Sequence, residues 1–318
     1  FRPESRISEP TRRRILASAR RLKYVPNLAA RNLRHGSPRL LGVLVTDITN
    51  PFWARMAREV EITAQKLGYA VIIAESQWEA EREVAHIQRM IQDRARGMVV
   101  CFCERSDEGA VLLRKHGMPH VALDTVPSFY RGAYVCNDLA CAGRLAAEHL
   151  VQTGRRRPVL LLPGQDHGHR FSSLGRLRAG FGRTLQQARV GFGNRQVFDA
   201  GWTIPDGLAA FGAVQKAMSD ADSVLCANDL CALGVVEAAD RAGLRVGEDL
   251  AVIGIDNLPV SDLSRLSLTS IRQPDAALAE LATRELIGAI EDGRAVNIRR
   301  KLKPELVVRS STRGMVAS

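Results

Sequence analysis

The chain has 318 residues, 46% hydrophobic and 25% charged, with a formal net charge of +11. That length is more than one hydrophobic core normally serves, so at least two folding units are expected. No apolar run is long enough to cross a bilayer as a helix, and no basic-then-apolar leader opens the chain, so the cytoplasm is expected and a membrane partner is not. Eleven Lys and Arg fall within positions 1–39 against Glu4 and Glu9 alone, so +9 of the +11 sits in the first eighth of the chain. A basic arm on a nearly neutral body is the electrostatic footprint of a polyanion binder.

Residues 8–23 read as a helix. Ser8 is placed to cap it and Pro10 is tolerated in its first turn. Ile15, Leu16, Ala19 and Leu22 recur at helical spacing, with arginines mainly on the other face. One short helix cannot bury that stripe alone and needs partners. Pro26 and Asn27 interrupt the chain, Leu28–Arg34 is a second short helical run, and Gly36-Ser-Pro38 ends it as a linker.

From Leu40 the pattern changes to short apolar runs alternating with helical periodicity. Strands are expected at Leu40–Val45, Tyr69–Ala74, Gly97–Phe102, His120–Leu123, Pro158–Leu162, Ser223–Ala227 and Leu250–Ile255. Helices are expected at Pro51–Leu67, Glu79–Asp93, Leu139–Gln152, Arg178–Ala188, Leu230–Ala242 and Asp275–Glu291. Repeated βα units imply parallel sheets covered by helices on both faces, and this length favours two such sheets over one. The crevice between two lobes is then the default ligand site, because strand ends and helix N-termini face it.

The six cysteines, Cys101, Cys103, Cys136, Cys141, Cys226 and Cys231, lie in or beside apolar runs. They read as small buried hydrophobes in a reducing compartment. Cys101 and Cys103 lack a second close pair, and His167 and His169 lack further ligands, so neither a metal nor a cofactor is expected. No nucleophile elbow, Walker loop or dinucleotide fingerprint follows a strand, so an enzyme is not expected.

Five stretches together resemble the lac repressor/galactose repressor (LacI/GalR) family of transcriptional regulators. They are Ile7-Ser-Glu-Pro-Thr-Arg-Arg-Arg-Ile15, Tyr24-Val-Pro-Asn-Leu-Ala-Ala-Arg-Asn-Leu-Arg34, Gly42-Val-Leu-Val-Thr-Asp-Ile-Thr-Asn-Pro-Phe-Trp53, Cys226-Ala-Asn-Asp-Leu230, and Gly254-Ile-Asp-Asn257 with Leu268-Thr-Ser-Ile271. Each is weak alone; in this order and spacing they are specific. The resemblance implies an α/β fold: a type I periplasmic-binding-protein-like sensor of two doubly wound parallel-sheet lobes. The last helix of a helix-turn-helix headpiece and a hinge helix would precede it.

Residues 1–24 would be the headpiece remnant, its recognition helix expected upstream of Phe1. Residues 25–38 would be hinge and linker, and 39–318 the effector and dimerisation domain. The first lobe is expected at 39–153 plus 271–301, and the second at 154–270 plus 302–318. The crossings would fall near Thr153, Ile271 and Leu302.

The resemblance also assigns roles. Leu33 matches a leucine wedged between central base steps of the minor groove, which bends the duplex. Asn27, Ala30, Arg31 and Arg34 would meet groove or phosphates. In the sensor, Phe52 and Trp53 would stack on a ligand ring, with core packing as the alternative for one of them. Asp256 would accept ligand hydrogen bonds, while Asn228, Asp229 and Asp138 stand equally well as helix caps. Trp202 would close over the effector. An effector-binding arginine usually stands three residues before a Gly-aromatic pair, here Gly180-Phe181, but that position is Leu177; Arg176 and Arg178 flank it as candidates.

The resemblance implies a homodimeric repressor on near-palindromic operator DNA, controlled by a sugar or sugar acid first, a nucleobase or nucleoside second. No heptad-repeat tail follows Leu306-Val-Val308, so a dimer rather than a tetramer is expected. A periplasmic-type sugar-binding protein is the alternative, and it leaves the basic arm unexplained.

Overall fold

A computed structural model of the chain describes residues 8–22, 39–163 and 173–313. The hinge run with Asn27, Ala30, Arg31, Leu33 and Arg34 lies outside the described residues, as do His167 and His169. The chain divides into two compact units, 1–39 and 40–318.

In the first unit, helix α1 spans Glu9–Arg21. The Arg12 amide donates to the Ser8 carbonyl at 3.0 Å, so the helix starts at the expected serine. Ile15 and Leu22 of its apolar stripe are exposed, as expected of a helix that needs a partner.

The second unit holds two six-stranded sheets. The first-lobe sheet is built from β1 (Leu40–Val45), β2 (Ala70–Glu75), β3 (Gly97–Val100), β4 (His120–Leu123), β5 (Tyr134–Asn137) and β11 (Arg299–Leu302). Their order is β11-β5-β4-β3-β1-β2, and every pairing is parallel. The second-lobe sheet takes β6 (Pro158–Leu162), β7 (Val197–Asp199), β8 (Ser223–Cys226), β9 (Ala251–Ile255), β10 (Thr269–Arg272) and β12 (Glu305–Val307). Its order is β12-β10-β9-β8-β6-β7, with the edge strand β12 antiparallel.

Strand alternation distributes each sheet between two cores. In the first lobe, Leu41, Val43 and Val45 pack under α2 (Pro51–Lys66) and α9 (Asp275–Glu291). Leu44 packs on the other face, under α3 (Ala80–Gln92) and α4 (Glu108–Lys115). In the second lobe, Leu160 and Leu162 face α5 (Leu139–Gln152) and α6 (Ser173–Gln187). Val159 and Leu161 face α7 (Ile204–Ala217) and α8 (Asp229–Arg241).

Both second-lobe helix pairs cross at glycines. A Cβ on Gly143 of α5 would lie 2.1 Å from the Leu177 carbonyl oxygen, and one on Gly180 of α6 would lie 2.0 Å from that of Ala140. Gly207 of α7 and Gly234 of α8 meet the Cys231 and Ile204 carbonyls in the same way. The Gly-Phe pair at 180–181 thus serves packing: the glycine admits a neighbouring backbone, and Phe181 is fully buried.

The first lobe crossing differs from expectation. The expected boundary near Thr153 would leave helix α5 in the first lobe, but its buried face of Ala142, Ala146, Ala147 and Leu150 belongs to the second-lobe core. The crossing therefore falls at Asp138, directly after β5, because the small-residue face of α5 fits only against α6. The other two crossings fall between Arg272 and Asp275 and between Leu302 and Glu305. Five cysteines are buried, Cys141 is half-buried, and all six are free thiols.

Arg155, 1% exposed, ties the second lobe together. Its guanidinium donates to the carbonyls of Asp222, Gly247, Asp249 and Arg313 at 2.8–3.4 Å. These acceptors come from three separate places in the sequence, and the last holds the C-terminal segment against the lobe. No helix among the described residues is long and apolar enough to cross a membrane.

Candidate functional site

A cavity of about 1000 Å³ lies between the lobes. Its walls are the loops at the C-terminal ends of the parallel strands. Asp47 and Asn50 follow β1, Trp78 follows β2, Glu104 and Arg105 follow β3, and Asp124 follows β4. From the second lobe come Trp202 after β7, Asn228 after β8, Asp256 after β9 and Gln273 after β10. Parallel βα units place their variable loops at that end, so two such sheets facing each other leave a ligand crevice.

Asp256 sits where the lobes meet. Its carboxylate accepts from Gln273 Nε2 at 2.6 Å and more weakly from Asn50 Nδ2 at 3.4 Å. Arg55 of α2 donates to its carbonyl at 2.9 Å and to Asp275 at 2.7 Å. Asn50 and Arg55 belong to the first lobe, so the second-lobe carboxylate is held from both sides. Its backbone has φ of 110°, followed by 47° at Asn257. Non-glycine residues hold such values only where their surroundings impose them.

All three tryptophans of the chain line the cavity. Trp78 of the first lobe stacks on Trp202 of the second, centroids 4.9 Å apart and planes at 6°. Trp53 meets Trp78 edge-on at 6.1 Å, and Phe52 meets Trp53 edge-on at 5.0 Å. Phe52 and Trp53 line the cavity and are also buried in the first-lobe core, so packing and cavity lining coincide in both.

Acceptors dominate the wall. Asp47, Glu104, Asp107, Asp124 and Asp256 supply five carboxylates against one arginine, Arg105, among the described residues. The Gln273 amide oxygen is buried with no hydrogen-bond partner among them. Glu104 accepts from the Ser173 amide and hydroxyl, both at 3.0 Å, at the start of α6, a second link across the lobes. Burial pushes the Asp124 carboxyl up to about 6 despite the amide donated by Asn137. Burial, then the charge of Asp229, drives Asp256 well above the ordinary range.

Asn228, Asp229 and Asp138 were each open to a capping role. Asn228 caps α8, accepting from the Cys231 amide at 2.8 Å, and donates to the Trp202 carbonyl at 2.9 Å. It therefore positions a cavity tryptophan while lining the wall itself. Asp229 points into the protein. It accepts from the Leu258 amide, Ser261 and Ser270 at 2.7, 2.6 and 2.5 Å, and burial pushes its carboxyl up to about 6. Asp138 caps α5 through the Cys141 amide at 3.0 Å and does not line the cavity.

The two arginine candidates do not line the cavity either. Leu177 does, and it is fully buried. The Gly143–Gly180 crossing sets the rotation of α6, and a helix turns each successive residue by about 100°. Arg176 is therefore carried to the Val126 carbonyl at 3.2 Å, and Arg178 to Asn194 at 2.6 Å. Trp78, Asp124, Glu104 and Gln273 were not anticipated from the sequence. The available signal was position alone: three of them follow expected first-lobe strands.

The raised carboxyls carry a pH prediction. A carboxyl with a raised folded-state pKa binds its proton more tightly folded than unfolded. Its contribution is complete below the unfolded value of about 3.9 and is lost as pH rises through the folded value. For Asp124 and Asp229 that value is about 6. The unliganded protein should therefore be more stable at pH 5 than at pH 7.5, by on the order of 1–3 kcal/mol. Urea unfolding at the two pH values checks this, and higher stability at 7.5 would contradict it.

The comparisons agree with this architecture. Residues 147–312 match the family described as periplasmic binding protein-like domain. The chain is 26% identical over 311 residues to the HTH-type transcriptional repressor PurR of Photobacterium profundum, covering 97% of this chain and 92% of the relative. It is 28% identical over 316 residues to the ribose operon repressor of Halalkalibacterium halodurans, covering 97% and 90%. In structure it is similar to the Lac repressor bound to ONPG in the repressed state, with TM-score 0.84 and 25% identity over 98% of this chain and 93% of that one.

Proposed function

The chain belongs to the LacI/GalR family of transcriptional regulators, with its periplasmic binding protein-like domain, and from that premise we propose that it represses transcription under the control of a neutral, hydroxyl-rich sugar held in the cleft. DNA binding and control by an effector are the family's properties. The relatives named repressors match 97% of the chain, a span that includes the basic N-terminal segment. A purely sugar-binding protein has no use for that segment.

The choice of ligand rests on the acceptor-rich wall. Sugar hydroxyls donate to carboxylates and to an unpartnered amide oxygen, and tryptophan faces cover the apolar face of a sugar ring. Among the described residues the wall offers many carboxyl acceptors and one arginine, Arg105, so it suits the hydroxyl donors of a neutral sugar better than the carboxylate of a sugar acid. A nucleobase or nucleoside is the second candidate, favoured by the stacked Trp78 and Trp202.

The test is a thermal-shift screen of the protein against neutral sugars, sugar acids, nucleosides and nucleobases. Ligand at about 100 times its dissociation constant adds roughly 2.7 kcal/mol to the folded state. A shift with a neutral sugar supports the proposal; a shift confined to sugar acids overturns the choice of ligand.

On the DNA side, the operator is proposed to be near-palindromic and bound by a homodimer in the cytoplasm. Leu33 would wedge into the minor groove, with Asn27, Ala30, Arg31 and Arg34 at groove and phosphates. Leu33→Ala should weaken operator binding by roughly 10-fold or more while leaving ligand-induced thermal shifts intact, since the contacts that the bent duplex allows must outweigh an unstacking cost of about a few kcal/mol and are lost with the wedge. A gel-shift titration beside the thermal screen reads both, and unchanged operator affinity would remove Leu33 from the interface.

A further inference from the structure

A second cavity of about 550 Å³ lies on the other side of the Val126–Arg131 segment. Its lining includes Arg131, Arg176 and Lys301 together with Ser128, Tyr134 and Cys136 and, among the described residues, no carboxylate. This reverses the chemistry of the main cleft, although Ser128 lines both cavities. The cations come from different lobes. Arg131 lies between β4 and β5 and Lys301 on β11, all in the first-lobe sheet, whereas Arg176 stands on α6 of the second lobe.

We propose that this second cavity binds the phosphoryl group of a small phosphomonoester and that the bound dianion links the two lobes. The side chains that line the space present guanidinium and ammonium donors, while Asp124 acts on Arg176 and Cys136 without lining it. Guanidinium groups pair with phosphate through parallel N–H···O bonds, and an ammonium adds a point charge. Arg131 keeps its guanidinium near the cavity by donating to the Ser128 and Tyr130 carbonyls. Arg176 is oriented by the Val126 carbonyl at 3.2 Å and Ser173 Oγ at 2.9 Å. Cys136, 2% exposed, supplies an uncharged floor: burial, aided by Asp124, pushes its thiol up to about 11, and the nearby Arg176 and Lys301 pull the other way.

The volume exceeds that of a bare phosphate ion, leaving room for the rest of a small metabolite. The phosphoryl group has two possible sources. It can belong to a separate small molecule, or it can be the tail of a phosphorylated cleft ligand reaching past Ser128. In either case it binds best when Arg176 stands close to Arg131 and Lys301. It therefore favours one lobe arrangement through differential affinity, which is the requirement for coupling to DNA binding.

The experiment is calorimetric titration at fixed ionic strength with inorganic phosphate, glycerol 3-phosphate, glucose 6-phosphate and unphosphorylated glucose. The proteins are wild type, Lys301→Glu, Arg131→Glu and Asp256→Ala, with folding checked by circular dichroism. Lys301 and Arg131 are exposed, so their variants should fold normally. The expected result is phosphomonoester binding that weakens roughly 10–100-fold in Lys301→Glu and Arg131→Glu. Survival of that binding in Asp256→Ala marks a separate ligand; partial loss there, with glucose binding lost as well, marks the tail of a cleft ligand. No phosphomonoester binding to wild type, or binding indifferent to both charge reversals, overturns the proposal.

Discussion

Asp256→Asn is expected to raise the stability of the unliganded protein and lower its affinity for ligand. The carboxylate is 4% exposed, and burial with the neighbouring charge of Asp229 opposes its ionisation. Asn has the same shape and no charge, so at neutral pH the change should stabilise the fold by on the order of 1–3 kcal/mol. That gain should shrink toward pH 5, where the wild-type carboxyl carries its proton for longer. A ligand hydroxyl donating to this position meets an amide in place of a carboxyl and loses a hydrogen bond worth about 0.5–1.5 kcal/mol, so affinity should fall roughly 2–10-fold. Thermal unfolding without ligand, and titration with the best ligand of the screen, measure the two effects. A drop in both would mean that Asp256 serves the fold, bridging Asn50 and Gln273, rather than the ligand.

Arg155→Ala is expected to cost about 3–5 kcal/mol, in the range reserved for broken buried networks. The substitution leaves a cavity where the largest fully buried side chain stood, and it strips donors from the carbonyls of Asp222, Gly247, Asp249 and Arg313. Each orphaned buried acceptor costs about 1–3 kcal/mol before relaxation. At about 2–4 °C per kcal/mol for a domain of this size, the melting temperature should fall by roughly 10 °C. Arg155→Lys should recover only part of the loss, because an ammonium cannot reach four acceptors spread around a planar fork. A shift below about 2 °C would show that water or the C-terminal backbone replaces the guanidinium.

Control of repression requires the effector to prefer one lobe arrangement. Four described contacts already span the lobes at the main cleft: Asn50 and Arg55 each to Asp256, the Glu104 carboxylate to Ser173, and the Trp78–Trp202 stack. A ligand entering among these groups must rearrange the stacked pair or bond beside it. Both routes alter the contacts that hold the lobes.

Much of this protein was determined by sequence alone. Buried parallel strands need continuous apolar runs, so Leu40–Val45, His120–Leu123 and Pro158–Leu162 were legible with their boundaries. Edge strands have no such requirement. β11 is Arg-Arg-Lys-Leu and β7 and β12 have three residues each, so they carry no periodic signal. Phe52, Trp53, Trp202, Asn228 and Asp256 were expected at the cleft because the resemblance to the LacI/GalR family carries them there; the structure supplies the physical reason, since each lies just after a parallel strand, where the cleft opens.

Tertiary structure alone decided the rest. Whether α5 belongs to the first lobe or the second depends on which surface accepts its small-residue face, and α6 does so through paired glycines. That crossing sets the rotation of α6, and the rotation turns Leu177 toward the effector cleft and Arg176 toward the cationic cavity. The pairing of Trp78 with Trp202 and the embrace of Asp256 by residues 50, 55 and 273 join positions far apart in the chain. Local spacing reports which face of an element is apolar; only the packing of both lobes reports which side chains meet across the gap.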